Sequence, residues 1–459
     1  MLNAVFPKRY GRATLSWIAF AFLNAVIGGY FTVALLAPAS SIKSSWLPGE
    51  TTHGHYQIEL KCNECHGSAS SPDATDVMQD ACNRCHADQL KRSKDTHPAK
   101  KFSDPTKADL LQILNAQDCL ACHQEHMPER TLAMGLTMPS DYCWHCHQDV
   151  AESRPSHQGM AFDSCATAGC HNYHDNRSLN EKFLDDHFGE PEFFDVAQVP
   201  PRRSHPQDPQ APVGLVMRDA DHPNNVEVDS ATLKDWAETS HASAGVNCSD
   251  CHGAGKQWSN EVTMDSCRRC HEMEVERFME SKHGMRLAVG LSPMTPDLAR
   301  LPMSPHATHR ELDCNACHQG HRFDTEYAAA EACLQCHQDD HSLAYLDSSH
   351  ATLWQDEITG GGQRGTGVSC ATCHLPRLEG DDGIFVQHDQ SSNLRPNEKM
   401  AREVCLHCHG LEFSLSALAD TELIRRQFDH APLETVPSVQ MARDWFESRA
   451  KRRKRRGGG

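Results

Sequence analysis

Cys119-Leu-Ala-Cys122-His123-Gln-Glu-His126 and Cys314-Asn-Ala-Cys317-His318-Gln-Gly-His321 are near-copies within one chain. Each places two cysteines three residues apart with a histidine directly behind them. The same pattern recurs at Cys62/Cys65/His66, Cys82/Cys85/His86, Cys143/Cys146/His147, Cys248/Cys251/His252 and Cys267/Cys270/His271. It recurs again at Cys333/Cys336/His337, Cys370/Cys373/His374 and Cys405/Cys408/His409, and in a wider form at Cys165-Ala-Thr-Ala-Gly-Cys170-His171. Eleven motifs therefore use all 22 cysteines of the 459-residue chain.

A Cys-x-x-Cys-His run is the attachment signature of c-type haem. Residues i, i+3 and i+4 share one face of a helical turn, so two thiols can form thioethers to the porphyrin while the imidazole meets the iron. Zinc ribbons also pair cysteines, and an exported chain can oxidise them to disulfides. Neither chemistry requires a histidine behind every pair, and eleven chance coincidences have a probability on the order of 10⁻¹³. The cofactor expectation is eleven haems c, or ten if the wide Cys165 motif is a lone disulfide.

Composition agrees. Hydrophobic residues make up 39% and aromatics 7%, which is lean for a chain of this length. At about 42 residues per motif, by division of the chain length, the cofactors themselves are expected to fill the interior. The formal charge of −18 has the wrong sign for a nucleic-acid binder. The fold class expected is mostly α with extensive irregular loops, a haem-packed core, two tandem haem modules and one N-terminal transmembrane helix.

Leu15 to Ala37 is apolar and uncharged, with Lys8, Arg9 and Arg12 before it. Its length suits a membrane span better than a signal-peptide core, although Ala37-Pro38-Ala39 has the form of a cleavage site. A retained anchor is the favoured reading. The upstream charges place the N-terminus in the cytoplasm, giving a single-pass inner-membrane protein with its haem modules in the periplasm.

The motifs repeat as a block, cysteines starting at 62, 82, 119, 143 and 165, then at 248, 267, 314, 333 and 370 with an extra one at 405. The expected organisation is an anchor over 1–40, a pentahaem module over 41–187, a proline-rich linker or wrapping arm over 188–238, a hexahaem module over 239–430 and a basic tail over 431–459. The run Arg449 to Arg456 in that tail reads as a solvated charged segment, or as a contact for anionic lipid or an acidic partner.

Of 31 histidines, 11 lie in motifs and 20 remain. The surplus implies a second histidine on most irons, leaving them without a vacant site and suited to electron transfer. The candidate distal ligands are His55, His97, His126, His157, His174, His241, His283, His309, His321, His341, His350 and His388, with His187 and His430 in reserve. His145 and His407 sit inside their own motif loops, out of reach of an iron.

From about Thr239 to Asp420 the chain resembles the superfamily of hydroxylamine oxidoreductase and pentahaem nitrite reductase. The residues carrying the likeness are Ser281-Lys-His-Gly284, Cys333-Leu-Gln-Cys-His-Gln-Asp-Asp-His-Ser-Leu-Ala-Tyr345, Ser349-His350, Gly367-Val-Ser-Cys-Ala-Thr-Cys-His-Leu-Pro-Arg377 and Cys405 to Leu418. The first half resembles small class III cytochromes c. The superfamily resemblance implies either a carrier or an enzyme, and motif order would put an active haem at Cys267/Cys270/His271. The chain departs from both catalytic patterns. It has no Cys-x-x-Cys-Lys motif, and its last tyrosine, Tyr345, precedes the final two motifs.

The function expected is a membrane-anchored electron conduit between a donor, with quinol as one candidate, and a partner redox protein. The alternative is an oxidoreductase acting on a nitrogen or sulfur compound (nitrite, hydroxylamine or sulfite type) at one five-coordinate haem. No catalytic residue is assigned.

Overall fold

The computed structural model describes residues 11–36, 44, 46–67, 74–95, 97, 101–102, 105–132, 135–139, 141–160, 165, 171–197, 199–200, 214–380, 383–394 and 397–457. Cys170, Ala37-Pro38-Ala39, Lys8, Arg9 and residues 201–213 of the linker lie outside the described residues. The chain is mostly helical, as expected, with long irregular connections.

Helix α1 (Arg12–Leu36) is exposed along its length and touches the following segment through Tyr30 and Phe31 against Trp46. Its segment Ala13–Val33 is long and apolar enough to cross a membrane, and none of it is buried against the protein. An anchor and a signal sequence share those properties.

Short helical turns carry the motifs. Cys62–His66, Cys248–His252, Cys314–His318 and Cys370–His374 are single five-residue helices. Such pieces are too short to persist on propensity alone, so their ends are tied locally. Asp118 accepts the amide of Leu120 at 3.0 Å, Asp313 that of Ala316 at 2.9 Å, and Ser369 that of Thr372 at 3.2 Å, each satisfying an otherwise orphaned donor. After the first motif of each half the chain leaves through a glycine in the left-handed region, Gly67 (φ 64) and Gly253 (φ 81). The motif at Cys82 differs, lying inside the 19-residue helix α2 (Ala74–Arg92).

In the second half, α3 (Glu272–Glu280) and α4 (Ser349–Thr359) precede a hairpin of β1 (Arg377–Gly380) and β2 (Gly383–Val386). The strands are antiparallel, with Arg377 opposite Val386 and Gly380 opposite Gly383. This hairpin turns the chain back so that His388 emerges just beyond β2. Helix α5 (Leu411–Ala419) follows the last motif, and α6 (Pro437–Gly457) ends the described chain.

Side-chain packing forms two apolar clusters among the described residues. One gathers Met400, Ala401, Val404, Leu411, Leu415, Leu418 and Val439, and the other Ala330, Tyr345 and Trp354. The halves meet through reciprocal charge. Arg177 donates to Glu403 at 2.9 Å, Arg402 to Glu181 at 2.7 Å, and Arg286 to the carbonyl of Gln57 at 3.0 Å. Arg92 pairs with Glu280 at 3.4 Å, and the Arg300 guanidinium lies 4.4 Å over the Tyr56 ring.

The structure adds detail to two regions of the sequence reading. The segment after His187 is a wrapping arm at its start: Phe194 N donates to the carbonyl of Cys408 at 2.9 Å, and Phe193 bridges to His409. The basic terminus is helical over Pro437–Gly457, with Lys451, Arg452, Arg453 and Arg455 exposed to solvent. Val439 is buried, Phe446 stacks on Phe188 at 4.4 Å, and Arg449 donates to Asp185 at 3.2 Å. These apolar contacts anchor the helix that its charge count alone would leave in solvent.

Candidate haem-binding histidine pairs

Each of the eleven motif histidines faces one further histidine across a narrow range of separations. In the first half the ring centroids of His66 and His126 lie 6.4 Å apart, His86 and His55 6.0 Å, His123 and His174 6.3 Å, His147 and His97 6.2 Å, and His171 and His157 6.2 Å. In the second half His252 and His321 lie 5.9 Å apart, His271 and His241 5.9 Å, His318 and His388 6.3 Å, His337 and His283 6.3 Å, and His374 and His341 6.0 Å. The extra motif of that half pairs His409 with His350 at 6.4 Å.

An iron held between two imidazole nitrogens, at about 2 Å from each, would put ring centroids roughly 6 Å apart. All eleven pairs fit that requirement, and in ten of them the motif supplies its two cysteines immediately before the histidine; Cys170 of the wide motif lies outside the described residues. When bound, haem iron supplies a one-electron couple, and two imidazoles leave it no vacant position. His271, where motif order would put an open iron, faces His241.

Cys336 is buried and most of the other described cysteines are half-buried, with Cys62, Cys65, Cys85, Cys146 and Cys270 at the protein surface. The turns close locally, Cys146 N donating to the carbonyl of Cys143 at 3.2 Å and Cys270 N to that of Cys267 at 3.1 Å.

The pairing of histidines follows one rule in both halves. The first motif takes the histidine three residues beyond the third motif's histidine, His126 or His321. The second takes the histidine seven residues before the first motif, His55 or His241. The third takes one beyond the fifth motif, His174 or His388. The fourth takes one between the second and third, His97 or His283, and the fifth takes one between the fourth and fifth, His157 or His341. Backbone detail repeats as well. His126 (φ 63) and His321 (φ 68) both sit in the left-handed region, an uncommon conformation for a side chain with a Cβ. Their rings lie nearly coplanar with those they face, at 14° and 10°.

Burial keeps many of these rings neutral, the form with a free nitrogen lone pair. It pushes His283, His318, His350 and His374 down to about 4, and it lowers His86, His97, His171 and His388. The other ring nitrogen is often held by backbone: His126 Nδ1 lies 2.8 Å from the carbonyl of Gly49, His97 Nδ1 2.9 Å from that of Tyr173, and His252 Nδ1 2.7 Å from that of Ser259. Such contacts fix ring orientation. Successive attachment points also adjoin, with Cys82 touching Cys119 in the first half and Cys267 touching Cys314 at the matching place in the second.

Of the twelve distal candidates, eleven enter these pairs and His309 does not. His309 is exposed, and the neighbouring Arg310 is the side chain that turns inward, to the carbonyl of Ala316. His187 binds Glu190 at 2.7 Å, His430 lies 3.6 Å from Asp429, and His407 Nε2 lies 3.0 Å from the carbonyl of Glu403. Sequence reasoning missed the carboxylates behind the rings, notably Glu125. The only signal for it was its place between His123 and His126.

The cytochrome c3 family model matches residues 54–148 and 240–338. Each stretch spans four motifs, and the second lies in the half whose motifs also resembled the hydroxylamine oxidoreductase superfamily. The class these regions define is the multihaem c-type cytochrome, which implies covalently bound c-type haem and electron transfer. No curated protein and no solved structure matches the chain.

Proposed function

We propose that the chain carries eleven haems c, one per motif, each iron held by the motif histidine and the histidine facing it, and that it serves as an electron conduit. The observation carrying this reading is the complete pairing: no motif histidine lacks an opposing imidazole at 5.9 to 6.4 Å. Turnover of nitrite, hydroxylamine or sulfite would need an iron open on one side, and the pairing supplies no such place. The chain's own residues would tether, orient and electrically tune the redox groups.

The apolar helix α1 supports a retained anchor with the haem modules in the periplasm. Cys62 begins 25 residues beyond Ala37, close enough for quinol at the membrane surface to serve as donor. The acidic surface favours a basic patch on the acceptor protein, with docking that weakens as salt rises.

Carbon monoxide added to the fully reduced protein, with haem quantified alongside, tests the reading. The expected result is eleven haems per chain and an unchanged visible spectrum. A change amounting to one haem would overturn full bis-histidine ligation and restore the enzymatic alternative.

A further inference from the structure

What stands behind the ring differs sharply for one pair. His55 Nδ1 lies 2.6 Å from Glu125 Oε1, a carboxylate rather than a backbone carbonyl. Glu125 is itself pinned, accepting the Thr52 amide at 2.6 Å on Oε2 and the Thr52 hydroxyl at 2.9 Å on Oε1. Held this way, the carboxylate is placed to accept the ring proton of His55. Other carboxylates stand farther from ring nitrogens, with Asp95 at 3.5 Å from His174, Asp339 at 3.8 Å from His337 and Glu274 at 4.0 Å from His271.

The second half supplies an internal control. By motif register Glu125 corresponds to Gly320, and His55 corresponds to His241. No carboxylate can reach from Gly320, and His241 packs instead against the edge of Phe323, ring centroids 4.6 Å apart at 87°. Two irons with the same expected ligands would thus differ behind the second histidine, one backed by a hydrogen-bonded carboxylate and one by an apolar ring, with Glu274 standing 4.0 Å from the motif histidine His271 in the second.

We propose that Glu125 is a positioning residue that lowers the reduction potential of the iron shared by His55 and His86, relative to the matching iron between His241 and His271. The physical route is twofold. A carboxylate accepting the Nδ1 proton makes the imidazole a stronger donor, and its negative charge favours the ferric state, which carries one more positive charge than the ferrous. An electron on this haem is held less tightly than on its second-half counterpart. The pair also lies where the halves meet, beside the contacts of Arg92 with Glu280 and Arg286 with Gln57.

The inference rests on the ligation proposed above, and the experiment separates the two. In the full-length, haem-loaded protein, Glu125→Gln keeps an oxygen that can accept from Nδ1 but removes the charge. Redox titration followed in the visible spectrum and by low-spin electron paramagnetic resonance should show one haem's share of the signal moving to higher potential. Haem content and low-spin character should stay unchanged, and Glu125→Asp should restore most of the shift. Superimposable titration curves would overturn the tuning. So would the appearance of a carbon monoxide site in Glu125→Gln, which would mean the carboxylate only holds the ring in place. His55→Ala is the check on ligation: a new site for one carbon monoxide sustains it, and no new site overturns the ligation and the tuning together.

Discussion

The two halves obey the same histidine-pairing rule but are reinforced by different means. Around the first five motifs the buried apolar side chains among the described residues are Ala81, Leu136 and Tyr142. Around the last six motifs lie both apolar clusters, the hairpin β1–β2 and the apolar helix α5. Geometry at the rings is nevertheless alike, down to left-handed backbone at His126 and His321. The comparison teaches that the placement of imidazoles does not depend on how much aliphatic core surrounds them. Local caps, glycine exits and the spacing of the motifs are enough to repeat it.

The sharpest way to break the comparison is to remove matching histidines. His126→Ala and His321→Ala should each create one carbon monoxide site in the reduced protein, where the parent shows none. If only one of the two does so, the halves do not share a pairing rule.

Next in size is packing. Leu415→Ala, within the larger apolar cluster, should cost about 3 kcal/mol and lower the unfolding midpoint in guanidinium. Among the described residues no matching cluster lies around the first five motifs, so the loss should fall mainly on the second half and on Phe183 and Leu184, which pack against it. Arg177→Met tests the junction. It leaves Asp175 and Glu403 without their shared cation, and half-buried charges so exposed should cost about 2 kcal/mol. Loss of the contact should also separate the two halves into distinguishable melting steps.

The smallest expected effects come from the glycines after the first motif of each half. A Cβ at Gly67 would meet the Val77 side chain at 2.5 Å, whereas one at Gly253 would meet the backbone carbonyl of Gln257 at 2.6 Å. Both substitutions to alanine add about 1 kcal/mol of backbone strain. Gly253→Ala should be the more destabilising, because a side chain can move aside and a carbonyl in a turn cannot. Equal midpoints for the two variants would remove that distinction.

Much of the candidate site is legible in the chain itself. Attachment residues follow from spacing, since i, i+3 and i+4 on a turn is a local property. That eleven of the twelve distal candidates enter pairs reflects a simpler signal, the surplus of histidine close to motifs. His309 fails because proximity in sequence does not say which of two neighbours turns inward, and there Arg310 did. The helix at the basic end was not legible for a related reason: a run of seven basic residues says nothing of Val439 and Phe446 upstream, whose contacts hold it.

The sequence by itself determined the motif count, the histidine behind every cysteine pair, the lean apolar content and the two-block repeat, because each is written in short-range spacing or composition. Which histidine faces which, how the arginines join the halves, and that a carboxylate stands behind His55 were decided by the tertiary structure alone. Those facts join residues up to more than two hundred positions apart, as Arg177 and Glu403 are. Only the path of the intervening loops brings them together.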